Sequence, residues 1–187
     1  MSKDVITRIG MARQKMLQLN DVWKDRGNPT ILKVKLLKSL IWPVMLYGCE
    51  AWTLKRAEEK KLEAAEMWLY RRLLRVKWTD KRTNESILGE LSNSKQVLQD
   101  INKKRLKYFG HVMRNKTTLL MSTVLQGKTE AKRRKGRPTT SYTENIKRIC
   151  KLSHQEASHR SQNRTTWRRT VLALNGGAII DNDDADR

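Results

Sequence analysis

Between Ser39 and Cys49 the chain carries no charged side chain, although 32% of its residues are Asp, Glu, Lys or Arg. The run Leu40-Ile-Trp-Pro-Val-Met-Leu-Tyr-Gly-Cys49 is apolar enough that exposing it to water is costly, so it has to be buried. It falls short of the roughly 20 apolar residues that a membrane-crossing helix needs. It is therefore expected to form the centre of a small helical core. Pro43 removes a backbone donor inside this helix and predicts a kink near Trp42.

The flanking segments are amphipathic and basic. Val5, Ile9, Ala12, Met16 and Leu19 recur at helical steps, which predicts a first helix over about 3–26, ended by Gly27-Asn28-Pro29. Thr30 is placed to cap a second helix, whose inner face would be Ile31, Val34, Leu37, Leu40, Ile41, Val44 and Met45. A third, over about 55–77, aligns Leu62, Ala65, Leu69, Leu73 and Val76. Glu58 and Glu59 in its first turn and Arg71, Arg72, Arg75 and Lys77 in its last complement the helix macrodipole. Short joints and one shared apolar seam predict a three-helix bundle over residues 3–77.

Trp78 to Arg82 reads as a polar linker, and residues 83–126 as short helices around a longer one over about 95–114. Residues 127–139 are a basic, flexible loop by composition. Ser141 with Glu144 and Ser153 with Glu156 have capping-box spacing, so helices are expected over 140–174, with Trp167, Val171 and Leu174 turned inward. Residues 175–187 read as a disordered acidic tail. With no internal repeat and no run of strands, the expected fold is all-α: a three-helix bundle, a looser basic helical region and the tail.

The net charge of +21 is uneven: the last 13 residues carry four Asp and one Arg, a net −3, so residues 1–174 carry +24. A charge of that size favours a polyanionic partner, here DNA, RNA or an RNA–DNA hybrid. Three clusters are candidate contacts. Arg71, Arg72, Arg75 and Lys77 lie beside Trp78, and Lys103, Lys104, Arg105 and Lys107 form a second group. The loop supplies Lys132, Arg133, Arg134, Lys135 and Arg137. Lys135-Gly-Arg-Pro138 resembles an AT-hook core, in which Arg137 would enter a narrow A·T-rich minor groove. A solvated basic loop or a nuclear-localisation signal fits the same residues. Of the six Trp, Trp23, Trp42, Trp68 and Trp167 lie near apolar stripes and read as core; Trp52 and Trp78, at helix ends, are the candidates for base stacking.

Cys49 and Cys150 are far apart and fit a reducing compartment better than a disulfide scaffold. Cys150, His154 and His159 lack the Cys-x2–4-Cys pair and the fourth ligand of a zinc site, so no metal or cofactor is expected. There is no Ser-His-Asp or Cys-His arrangement, no phosphate-cradling glycine loop and no carboxylate pair placed for hydrolysis; the chain is not expected to be an enzyme. Polar sequence after Met1 and the lack of a lipidation signal predict a nuclear or cytoplasmic location rather than secretion or membrane attachment.

Five pieces, in order, carry a family resemblance: Asp4-Val-Ile-Thr-Arg-Ile-Gly10, the segment Leu40 to Leu54, Arg71-Arg-Leu-Leu74, Lys103-Lys-Arg-Leu-Lys-Tyr-Phe-Gly-His-Val-Met-Arg114 and Lys135-Gly-Arg-Pro138. Together they resemble the C-terminal part of reverse transcriptases from non-LTR (LINE-type) retrotransposons, over residues 4–174. The resemblance implies that residues 3–77 correspond to the thumb, which grips the template–primer duplex, and that the remainder is the downstream nucleic-acid-binding region. The paired aspartates of a polymerase palm have no counterpart: Asp183-Asp184 is the one Asp pair, and it lies in the tail. Ala51 stands where the family pattern has Thr. The resemblance therefore implies a binding fragment of an RNA-directed DNA polymerase. Its alternatives are a subunit that completes a separately encoded palm domain in trans, and a translated retroelement remnant that binds nucleic acid as a generic polycation.

Overall fold

The computed structural model describes residues 2–25, 27–91, 95–115, 123 and 141–173. Among them the chain forms helices and turns and no strand, so the fold is all-α. The basic loop and the acidic tail lie outside the described residues. The chain divides into two compact units, one of Met1–Cys49 and Leu54–Ile101, the other of Glu50–Thr53 and Asn102–Arg187.

In the first unit, α1 (Ser2–Gln18) buries Val5, Ile9, Ala12 and Met16, the stripe expected from spacing, and packs against α4 (Trp42–Met45) and α5 (Arg56–Leu73). The first helix does not run on to residue 26. It breaks at Leu19 and restarts as α2 (Asn20–Lys24). The break turns Trp23 back over α1, where its indole Nε1 donates to the Met16 carbonyl at 2.9 Å. That bond satisfies one of the carbonyls left over at the α1 C-terminus.

Helix α3 (Thr30–Leu36) begins after Pro29, with Thr30 inside the helix rather than capping it. Ile31, expected to face inward, is 72% exposed, and Lys33 is buried instead. The Lys33 ammonium donates to the carbonyls of Trp23 at 2.9 Å and Asp25 at 2.6 Å, where α2 ends. Those carbonyls need a donor, and an ammonium at a helix C-terminus also meets a favourable dipole. An isoleucine supplies neither.

The bend at Pro43 takes a different form from the expected kink. Residues Leu37–Ile41 make a π-helical turn that leads directly into α4. Proline has no N–H to offer the carbonyl four residues back, and the wider turn absorbs the missing bond and the ring. It also sets which way the uncharged run faces. Ile41, Trp42, Met45, Leu46 and Cys49 are buried, while Leu40 and Tyr47 point outward. Trp42 donates from Nε1 to the Asp100 carboxylate at 3.0 Å and tilts against Tyr70, ring centres 6.2 Å apart.

Leu62, Ala65, Leu69 and Leu73 form the buried stripe of α5 as their spacing requires, but Glu66 is buried among them. Its carboxylate accepts from the backbone N–H groups of Gln96 at 2.7 Å and Val97 at 3.4 Å, at the start of α7 (Val97–Arg114), and from the Tyr70 hydroxyl at 3.2 Å. These bonds supply acceptors to the first N–H groups of α7 and tie it to α5. The first unit thus continues past Lys77, through α6 (Asn84–Glu90), to Ile101.

In the second unit, Leu106 and Phe109 of α7 share a core with Tyr142, Ile146 and Cys150 of α8 (Tyr142–Cys150), Ala157 of α9 (His154–Gln162) and Trp167 and Val171 of α10 (Arg164–Ala173). The local signals for these helices hold. Ser141 Oγ accepts from the Glu144 N–H at 3.1 Å and Ser153 Oγ from the Glu156 N–H at 3.2 Å. The Glu156 carboxylate returns a bond to the Ser153 N–H at 2.8 Å, completing a capping box.

Candidate nucleic-acid interface

Helix α5 ends at Leu73, three residues before its apolar pattern does at Val76. Arg75 takes the left-handed conformation at φ 58°, the Val76 N–H reaches the Arg71 carbonyl at 3.0 Å, and the Arg75 N–H reaches the Arg72 carbonyl at 3.2 Å. This is the Schellman arrangement, with arginine in the position glycine usually takes. The chain then folds into a short turn, Trp78–Asp80, held by a 2.8 Å bond from the Lys77 N–H to the Asp80 carboxylate.

Together these turns build a groove of about 370 Å³ within the first unit. Lys24, Arg71, Arg72, Arg75 and Lys77 line it beside Trp78, and no carboxylate is among its lining residues. Arg72 and Arg75 are exposed and only lightly held, Arg72 by Asn20 Oδ1 and Arg75 by the Lys24 carbonyl, each at 3.4 Å. Arg71 lines the groove but is held by the chain itself. It donates to the Arg82 carbonyl at 2.8 Å and to Asn84 Oδ1 at 2.9 Å, so it fastens the segment after the turn to α5. Lys24 belongs to the groove only because the break at Leu19 redirects α2, and helical spacing within the first segment carries no sign of this.

The second basic cluster does not act as a unit. Lys104 and Lys107 are exposed and Lys103 is half-buried. Arg105 is 0% exposed and does not belong to a solvent-facing interface. It lies four residues before Phe109 and seven before Val112, both buried, so it shares their face of α7. Its guanidinium lies 5.5 Å from the Tyr142 ring centre, and the Tyr142 hydroxyl donates to its carbonyl at 3.1 Å. That i, i+4, i+7 relation was visible in the sequence beneath the run of basic residues. The loop residues Lys132, Arg133, Arg134, Lys135 and Arg137 lie outside the described residues.

Trp23, Trp42 and Trp167 are buried as expected, and Trp68 is half-buried with the Arg13 guanidinium 5.3 Å from its ring centre. Of the two stacking candidates, Trp52 is buried and Trp78 is exposed. Among the described residues no three His, Cys, Asp or Glu side chains converge as a metal site would require. Both cysteines are buried thiols, and burial pushes Cys150 up to about 11, away from the reactive thiolate. No helix among the described residues is long and apolar enough to cross a membrane.

Over 96 residues the chain is 31% identical to a transposon-derived protein of Caenorhabditis elegans. The match takes in 48% of this chain and 34% of the relative, so the chain spans about a third of that protein's length. The chain therefore has a transposon-derived homologue. No protein-family model matches the chain. No solved structure matches it.

Proposed function

We propose that this chain is a nucleic-acid-binding fragment related to the thumb and downstream region of a LINE-type reverse transcriptase. It grips template–primer duplex or target DNA through phosphates and brings no catalytic palm of its own. The observation that carries this reading is the groove at the end of α5, where Lys24, Arg72, Arg75 and Lys77 converge with no lining carboxylate. Cations gathered along one groove repel one another and are relieved by a polyanion. The transposon-derived homologue supports the same reading.

A subunit completing a separate palm would offer that palm an apolar surface. Of the uncharged run, Trp42 is buried with Ile41, Met45, Leu46 and Cys49 while Leu40 and Tyr47 are exposed, so the run offers two side chains rather than a large apolar patch, which favours the binding fragment. The remnant reading draws on the same homologue, and a titration separates it from ours. Affinity for A·T-rich duplex, G·C-rich duplex and RNA–DNA hybrid is measured across a salt series, for wild type, Arg72→Ala/Arg75→Ala and Arg137→Ala. A slope of log K on log salt of about −0.9 per neutralised phosphate is expected on duplex DNA, and the double variant should flatten it by about two phosphates. If every ligand binds alike and neither set of substitutions changes affinity or slope beyond the loss of net charge, the chain is a generic polycation.

A further inference from the structure

Phosphate contact leaves one feature of the groove without a role. Trp78 is 88% exposed at its edge, so almost the whole indole faces water. A large aromatic in water forfeits the hydrophobic stabilisation that burial brings. Nor is it loosely carried. The turn Trp78–Asp80 is closed by the Asp80 carboxylate on the Lys77 N–H, by the Asp80 N–H on the Lys77 carbonyl at 3.2 Å and by the Lys81 N–H on the Trp78 carbonyl at 3.4 Å. Lys81 then takes the left-handed conformation at φ 45°. The chain thus holds a bare indole beside Arg72, Arg75 and Lys77 on a backbone tied at each step.

A cationic wall bearing one planar apolar face complements a polyanion that carries planar apolar groups. In an uninterrupted duplex the base faces are already covered by their neighbours, and the indole has nothing to meet. An unpaired base offers a face. We propose that Trp78 stacks on an unpaired base, so that the groove favours the unpaired strand beside a template–primer duplex over continuous duplex. The proposal rests on the reading that the groove binds nucleic acid, and adds which form it takes.

The full chain is titrated with three ligands at matched salt: a single-stranded oligonucleotide, the same oligonucleotide with abasic positions, and a duplex whose ends are closed by hairpin loops joined through non-nucleotide linkers. Wild type, Trp78→Ala and Trp78→Phe are compared. Trp78→Ala is expected to lower affinity for the single strand about tenfold and to leave the duplex affinity and the salt slope unchanged. Trp78→Phe should keep most of the affinity. The abasic strand should bind wild type about as weakly as the intact strand binds Trp78→Ala. Circular dichroism checks that the variants keep their helix content. If Trp78→Ala lowers all three affinities equally, or none, the stacking site is overturned while salt-dependent binding stands. If wild type binds no nucleic acid, the binding reading fails as well, so the two failures are separable.

Discussion

Gly110 has no Cβ where the indole of Trp167 lies, and a methyl group there would run into Nε1 and Cδ1 of the ring. The indole uses that space to donate to the Leu106 carbonyl at 2.9 Å while its ring sits 5.6 Å from that of Phe109. Gly110→Ala gains about 1 kcal/mol of helix propensity. Against this stands the cost of overpacking a fixed ring, typically about 1–3 kcal/mol. A net loss of stability is expected, read as a lower urea midpoint. Trp167→Phe in the same chain should lessen the penalty of the added methyl. A Gly110→Ala chain as stable as wild type would show that the indole moves aside freely.

Arg75 occupies a left-handed position that a non-glycine residue adopts at a cost. Arg75→Gly removes that cost but frees the unfolded chain, for a net gain of roughly 0.5–1 kcal/mol at most. The same substitution takes a cation from the groove. Stability and nucleic-acid affinity should therefore move in opposite directions, the first level or rising in denaturant titration and the second falling in a binding titration. A variant that loses both would place Arg75 among the structural residues.

Lys104 and Arg105 are adjacent and opposite in role. Lys104→Ala should change stability by less than about 0.5 kcal/mol. Arg105→Ala removes a buried side chain packed against Tyr142 and should destabilise by roughly 1–3 kcal/mol. Thermal or urea unfolding of the two single variants decides it, and equal unfolding curves would contradict the burial of Arg105.

Glu66 makes stability depend on pH in an unusual direction for a carboxylate. Burial raises its titration above the ordinary value of 4.5, against the opposing pull of the Gln96 and Val97 N–H groups. The folded chain therefore holds its proton to higher pH than the unfolded chain does. The stability contributed by the protonated carboxyl is complete below the unfolded value and is lost as pH rises through the folded one. Glu66→Gln does not titrate there, so wild type should lose stability relative to this variant as pH rises from the ordinary carboxylate value of 4.5 through the raised folded one. Parallel stability curves across that range would show that the hydrogen bonds cancel the cost of burial. Glu66→Ala leaves the α7 N–H groups without this acceptor and should cost about 1–3 kcal/mol at any pH.

Much of the helical architecture was legible because its causes are short in sequence. Val5, Ile9, Ala12 and Met16 lie on one face by helical geometry alone, and they are the buried face of α1. Ser141 and Ser153 cap helices because the bond each accepts spans only three residues. The uncharged run had to be buried somewhere, and the residues Ile41 to Cys49 supply much of the first unit's core.

Other choices rest on partners far away in sequence. Lys33 displaces Ile31 from the interior because its ammonium answers carbonyls eight and ten residues earlier, which exist as acceptors only once α2 has ended. Glu66 can be buried because the N-terminus of α7, thirty residues on, supplies its donors. The groove needs Lys24 beside Arg75, fifty-one positions apart, and an α5 that stops at Leu73 and presents Trp78 to water. Period and capping are properties of neighbouring residues, so the sequence by itself determined an all-helical, strongly basic chain with most of its buried stripes. Which charges are buried and which converge depends on where orphaned backbone groups meet in space, and only the tertiary structure decided that.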